Sequence, residues 1–170
     1  AKAKGVSKAL IDRLTLNRER LTAAAAGLRE VAALPDPVGV TVSMARRPNG
    51  MEVGRVRVPL GVVAIIYEAR PNVTVDAAGL CLKAGNAVIL RGGSDAFRSN
   101  KAIVDAMRSA LKDTSLPEAS IQMVEDTSRS SAEELMRLTG LVDVLIPRGG
   151  RGLIQSVVRN ATVPVIETGE

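Results

Sequence analysis

Arginines and glycines at two places in this sequence could grip an anion. Arg91-Gly92-Gly93-Ser94 follows one apolar run, and Arg148-Gly149-Gly150-Arg151-Gly152 follows another. Glycine lets backbone N–H groups approach a ligand closely, and a helix starting behind the loop favours negative charge there. Arg91, Arg148 and Arg151 add guanidinium groups suited to phosphate. The same glycines also serve tight strand-to-helix turns. Two such loops with arginines at one sheet edge favour the ligand. Two other apolar runs end on residues that could do chemistry, Tyr67-Glu68-Ala69-Arg70-Pro71-Asn72 and Ile166-Glu167-Thr168-Gly169.

Several chemistries are disfavoured by what the chain lacks. It has no histidine, which removes the commonest general base and metal ligand. No Cys/Asp/Glu cluster has metal-ligand spacing, so no metal site is expected. Neither glycine loop reads G-x-G-x-x-G, because Gln155 stands three after Gly152, and no P-loop pattern occurs. Cys81 is the only cysteine, so no internal disulfide is possible, which suits a reducing cytoplasm. Its place within Leu80-Cys81-Leu82 on a predicted helix reads as a buried structural thiol rather than a nucleophile. A net charge of +5 suits phosphate ligands or nucleic acid, but with one Tyr, one Phe and no Trp the chain lacks aromatic platforms for single strands. No apolar run approaches the ~20 residues of a membrane span, and no signal peptide is evident.

The elements that must position these residues follow from periodicity. The 170 residues fit one domain, 46% hydrophobic and almost wholly aliphatic in its core. Residues 1–36 read as N-terminal helices, with Ser7 capping one through Leu14 and Asn17 capping a second from Arg18 to about Leu34. Residues 37–58 change to period two. Val40–Met44 and Met51–Val58 alternate around Pro48-Asn49-Gly50, which predicts a projecting two-stranded antiparallel ribbon. Residues 59–170 alternate strand and helix. Strands are expected at Gly61–Tyr67, Ala87–Leu90, Ile121–Val124, Val142–Ile146 and Val163–Ile166, with helices at Thr74–Ala84, Ala96–Leu111, Ser131–Leu138 and Arg151–Asn160. That order predicts an α/β, doubly wound, mostly parallel sheet, whose ligands bind at the carboxyl ends of its strands. The chain stops just past the last predicted strand, and a complete enzyme is not expected from it.

Together the motifs resemble a known family. Val58-Pro59-Leu60-Gly61-Val62-Val63, Tyr67 to Thr74, Lys83 to Ser94, Ile146-Pro147-Arg148-Gly149-Gly150 and Val163 to Gly169 are similar to gamma-glutamyl phosphate reductases, a branch of the aldehyde dehydrogenase superfamily. The likeness runs from about Gly5 to the end, and the ordered combination of YEARPN, LRGGS and IPRGG is what makes it specific. The resemblance implies NADPH-dependent reduction of L-glutamyl 5-phosphate to L-glutamate 5-semialdehyde with release of phosphate, in proline biosynthesis. In that family a cysteine thiolate displaces phosphate and hydride then reduces the acyl group. The family's cysteine lies downstream of the Glu167-Thr168-Gly169 segment and its first helices lie upstream, so the chain is expected to be an inactive cofactor-binding portion.

By the same resemblance Asn72 matches the asparagine that helps hold the oxyanion, and Glu167 the superfamily's glutamate near the thiolate, often a general base. Arg91 matches a basic position that contacts the adenosine ribose or its 2′-phosphate. Gly92 and Gly93 belong to the same cofactor loop, and Ser94 replaces an acid with a small hydroxyl, which agrees with NADP. Arg148 stands beside Gly149 and Gly150, which match the pyrophosphate turn. The resemblance further implies a cytoplasmic homo-oligomer helped by the ribbon, possible association with glutamate 5-kinase, and no membrane or nucleic-acid partner. A non-catalytic dinucleotide- or phosphate-binding module remains the alternative to a catalyst.

Overall fold

The computed structural model describes residues 11–12, 14–68 and 70–167. The helix expected from Ser7 lies mostly outside these. Helix α1, Arg18–Ala33, is capped by Asn17, whose side-chain oxygen accepts from Arg20 N at 2.8 Å. It ends as expected at Leu34, before Pro35. Strands β1 (Thr41–Arg46) and β2 (Glu52–Val56) form the ribbon, antiparallel and exposed along their whole length, with a register shift between Thr41 and Ser43. At its tip Gly50 N donates to Arg47 O at 2.9 Å, and Gly50 alone takes the left-handed conformation, at φ +84°. Asn49 therefore does not sit in a primed two-residue turn. The loop spans three residues and uses Gly50 for its final bend.

The body is a four-stranded parallel sheet in the order β5-β4-β3-β6, made of β3 (Val62–Tyr67), β4 (Ala87–Arg91), β5 (Ile121–Met123) and β6 (Val144–Arg148). Helices α2 (Pro71–Lys83), α3 (Phe97–Leu111), α4 (Arg129–Leu135) and α5 (Arg151–Asn160) make the crossovers. Alternate residues of β3 serve different layers. Val63, Ile65 and Tyr67 pack against α2 and α3 through Ala77, Ala78, Cys81 and Val104. Ala64 and Ile66 belong to the opposite layer with Leu135, Met136 and Val157. Burial on both faces explains the uninterrupted apolar strand, each large aliphatic side chain contributing about 1.5–3 kcal/mol.

Three of the differences from the sequence reading involve proline. Helix α2 starts at Pro71 rather than Thr74, because proline's fixed φ and missing N–H suit a first helical turn. Strand β6 runs through Pro147 to Arg148 instead of stopping at Ile146. A proline is tolerated there because β6 borders the sheet, with little beyond it to receive an N–H. The segment Val163–Ile166 is not a full strand. It makes one parallel bridge, Val165 to Leu145, with Leu145 N on Pro164 O at 2.8 Å and Ile166 N on Leu145 O at 3.0 Å. Pro164 has no N–H with which to lengthen that ladder.

The amino edge of the sheet is fastened by side chains. Asn86 Oδ1 accepts from Leu60 N at 2.6 Å and Gly61 N at 3.0 Å, and Asp143 Oδ2 accepts from Val62 N at 2.7 Å. On the α2 side, Gly79 lets α1 lie close, since a Cβ there would come 2.3 Å from Leu28 Cδ2. Lys83 Nζ joins the same two helices, donating to Ala32 O at 3.0 Å and pairing with Asp36 at 2.9 Å. An open, mainly apolar groove of about 690 Å³ remains between α1 and α2 over Val63, Ile65 and Ile146. Among the described residues no helix is long and apolar enough to cross a membrane.

Candidate functional site

Parallel pairing brings the singled-out loops to one edge. Ile66 stands opposite Arg91 on β4 and opposite Pro147 on β6, and Tyr67 stands opposite Arg148. The loops after β3, β4 and β6 therefore leave the sheet at the same level. Glu167 follows the bridge at Val165 by two residues and is exposed.

The loop after β4 is braced from beneath and from the side. Gly92 is buried, and a Cβ there would lie 2.3 Å from Asn100 Nδ2 and 3.1 Å from Tyr67 Cζ and Oη. Only glycine fits without displacing that floor. Gly93 is extended, at φ −65° and ψ 150°, and leads into a short turn of 3-10 helix at Ser94–Ala96. Ser94 and Asp95 are both exposed. Arg91 turns toward the loop after β5. Its Nη2 donates to Thr127 O at 2.8 Å and Ser128 O at 2.7 Å, and its Nη1 to Gly92 O at 3.2 Å. Its Nε is buried without a partner. Burial lowers the guanidinium pKa, opposed by the nearby Asp126 carboxylate. Asp126 itself is held below the usual carboxylate range, by hydrogen bonds from Ser128 N and Ser128 Oγ and then by Arg91. Ser128 in turn caps α4.

The loop after β6 receives a carboxylate from within the molecule. Glu68 Oε1 accepts from Gly150 N at 3.2 Å, at the start of α5. A Cβ on Gly149 would lie 2.8 Å from Glu68 Cδ and 2.7 Å from Leu153 Cδ2. The amide that begins α5 thus already donates to an anion, as a helix N-terminus favours. Arg148 is exposed, and its carbonyl accepts from Glu68 N at 3.1 Å. Asn72 is exposed in the first turn of α2. Among the described residues no hydrogen bond joins Asn72 or Glu167 to the other candidates.

Two features escaped the sequence reading. One is the contact of Glu68 with Gly150, since nothing local in the sequence shows which way a loop carboxylate turns. The other is a buried polar chain. Tyr67 Oη lies 2.7 Å from Thr74 Oγ1, which donates to Asn100 Oδ1 at 3.1 Å. A signal for it existed. Asn100 falls on the Asn100-Val104-Met107-Leu111 stripe of α3, where a polar residue on an apolar face needs a partner. Cys81 is buried as expected, and burial pushes its thiol up to about 11.

No family model matches the chain. Its sequence is 64% identical over 166 residues to gamma-glutamyl phosphate reductase from Clostridium beijerinckii, an alignment covering 98% of this chain and 40% of the relative. The crystal structure of gamma-glutamyl phosphate reductase from Thermotoga maritima matches at 51% identity with a TM-score of 0.96, over 99% of this chain and 41% of that one. Over its length, this chain belongs to the gamma-glutamyl phosphate reductase family. It spans about two fifths of the length of these reductases. A probable aldehyde dehydrogenase from Listeria monocytogenes shares the fold alone, at 19% identity and a TM-score of 0.69 over 86% of this chain and 31% of that one.

Proposed function

We propose that this chain is the cofactor-binding portion of an enzyme that uses NADPH to reduce L-glutamyl 5-phosphate to L-glutamate 5-semialdehyde with release of phosphate. The observation that carries the reading is the convergence of two glycine-arginine turns at one carboxyl edge, in a chain 64% identical to a gamma-glutamyl phosphate reductase. The donors fit a dinucleotide. Gly92 and Gly149 leave no room for a side chain, and Gly150 N already holds a carboxylate oxygen. In this reading Arg91, Gly92, Gly93 and Ser94 hold the adenosine end, and Arg148, Gly149 and Gly150 the pyrophosphate. The small hydroxyl of Ser94 spares a 2′-phosphate the repulsion of an acid. Bound NADPH would supply the hydride.

The chain's own residues then orient and polarise. Asn72, exposed at the start of α2, presents an amide to the oxygen that gains negative charge. In the same reading Glu167 takes the position of the superfamily's glutamate near the thiolate, often a general base. Cys81 does not serve as nucleophile, because it lies on the buried face of α2 and stays protonated near neutral pH. The thioester-forming cysteine then belongs to residues outside this chain, and the chain alone does not turn over. The same reading places the enzyme in the cytoplasm as a homo-oligomer whose ribbon joins copies, with glutamate 5-kinase as a candidate associate.

The test is the reverse reaction, NADP reduction by glutamate 5-semialdehyde and phosphate. It is run with this chain and with a polypeptide of the relatives' full length. The long form is expected to turn over and the 170-residue chain to show none. Robust turnover by the short chain that persists in Cys81→Ser would overturn the proposal. Dinucleotide binding without turnover in the long form would favour a non-catalytic module.

A further inference from the structure

We infer that Tyr67, Thr74 and Asn100 form a buried positioning network that holds the loop after β3 and the loop after β4 in one fixed relation. The consequence for cofactor binding rests on reading those loops as the dinucleotide crevice; the network itself does not.

The three side chains are 1%, 0% and 0% exposed, and they come from β3, α2 and α3. Tyr67 is the only tyrosine of the chain. The direction of the chain is set by its end. Thr74 Oγ1 spends its proton on Asn100 Oδ1 at 3.1 Å, so Tyr67 Oη is the donor of the 2.7 Å bond to Thr74. Aliphatic and phenyl groups of similar size would fill this space without the cost of drying three polar groups. The geometry gives the polar set a use. Tyr67 immediately precedes Glu68, whose carboxylate meets Gly150 N. Thr74 stands two residues after Asn72 on the first turns of α2. Asn100 and the Tyr67 ring form the surface on which Gly92 rests, where a Cβ would lie 2.3 Å from Asn100 Nδ2 and 3.1 Å from Tyr67 Cζ and Oη. Asn100 Nδ2 has no partner, so its amide is oriented solely through Oδ1 and Thr74. Loss of the Thr74 hydroxyl frees that amide to rotate against Gly92 and removes the acceptor that fixes Tyr67.

A part of the core that merely filled space would change stability everywhere alike. A positioning network changes its loops first. Hydrogen exchange on the 170-residue chain separates these. The reporting amides are Val73, bonded to Arg70 O, Ala96, bonded to Gly93 O, and Phe97, bonded to Ser94 O. The reference amides are Ala161, bonded to Val157 O, and Arg57, bonded to Val40 O. In Thr74→Val, which keeps the shape and loses the hydroxyl, the reporting amides are expected to exchange about tenfold faster with the references unchanged. Thr74→Ser is expected to return them to within about twofold of the parent. Acceleration of all five amides by one common factor, or of none, overturns the inference. Tyr67→Phe, which spares the Thr74–Asn100 bond, covers the case in which Thr74→Val does not fold, with the same loop-confined pattern expected and the same overturning result. A separate titration with NADPH, on a Thr74→Val polypeptide of the relatives' full length, tests the crevice reading. Affinity is expected to fall about fivefold or more. Loosened loops with unchanged affinity would leave the network standing and remove the crevice reading.

Discussion

Arg91 spends most of its hydrogen-bonding capacity on backbone carbonyls of the chain itself. It therefore braces the loop after β5 whatever else it contacts. If it also meets a 2′-phosphate, Arg91→Ala in the long polypeptide should weaken NADP binding more than NAD binding. About 2 kcal/mol of difference is expected, the low end for truncating a charged pair, because the group is only partly buried. Calorimetric titration of both cofactors measures it, and an equal loss would leave Arg91 as a brace alone. Arg91→Lys should not restore the loop, since one ammonium cannot span both carbonyls with planar geometry. At this scale the sequence was legible where residue type implies environment. Cys81 between two leucines on a helix read as a buried thiol, and it is one. It was not legible where direction matters. The turn of Arg91 toward Thr127, and of Glu68 toward Gly150, depends on loops distant in sequence.

Elements were legible wherever periodicity and punctuation agreed. Asn17 before α1, Gly85 after α2 and the alternation in β1 and β2 placed those units within a residue or two. Three of the misplaced boundaries involve proline, whereas both ends of α4 and the start of β6 were misplaced without one. Pro71 opened a helix, Pro147 stayed within a strand and Pro164 limited a pairing, because its effect depends on whether a neighbour needs the missing N–H. Glycines of the same composition differ just as sharply. Gly61 has φ +115°, and a Cβ there would come 2.1 Å from Asp143 Oδ2, the group that holds Val62 N. Gly61→Ala should cost about 2–4 kcal/mol, from backbone strain and a lost hydrogen bond together. Gly27, within α1, has nothing within 4 Å of the added carbon. Gly27→Ala should stabilise by about 0.5–1 kcal/mol. Urea denaturation of both variants checks the opposite signs, and two losses of equal size would refute the distinction.

Across the whole molecule, two buried acids are kept protonated by the core. Burial raises the Cys81 thiol to about 11 and the Tyr67 hydroxyl to about 12. Unfolding releases both to their ordinary, lower pKa values, so above about pH 9 the native state binds more protons than the unfolded one. Stability should be insensitive to these groups through neutral pH, fall as the pH rises past about 9, and fall less in Cys81→Ala combined with Tyr67→Phe. Urea midpoints at stepped alkaline pH test this, and an unchanged slope in the double variant would exclude both groups as the cause. The doubly wound sheet and its projecting ribbon were legible from the change of period at Pro59, since a body needs strands buried on both faces and a ribbon does not. The ribbon has a physical consequence of its own. Among the described residues its two strands pair only with each other, so both outer rims carry N–H and C=O groups without strand partners. Such rims can template the addition of another extended chain. Arg46 and Arg55 within the strands, with Arg47 and Arg57 beside them, outnumber Glu52 and set a net positive charge against that meeting. The repulsion reaches only about 8 Å at physiological ionic strength. Raising the salt concentration therefore weakens the repulsion that holds two such rims apart.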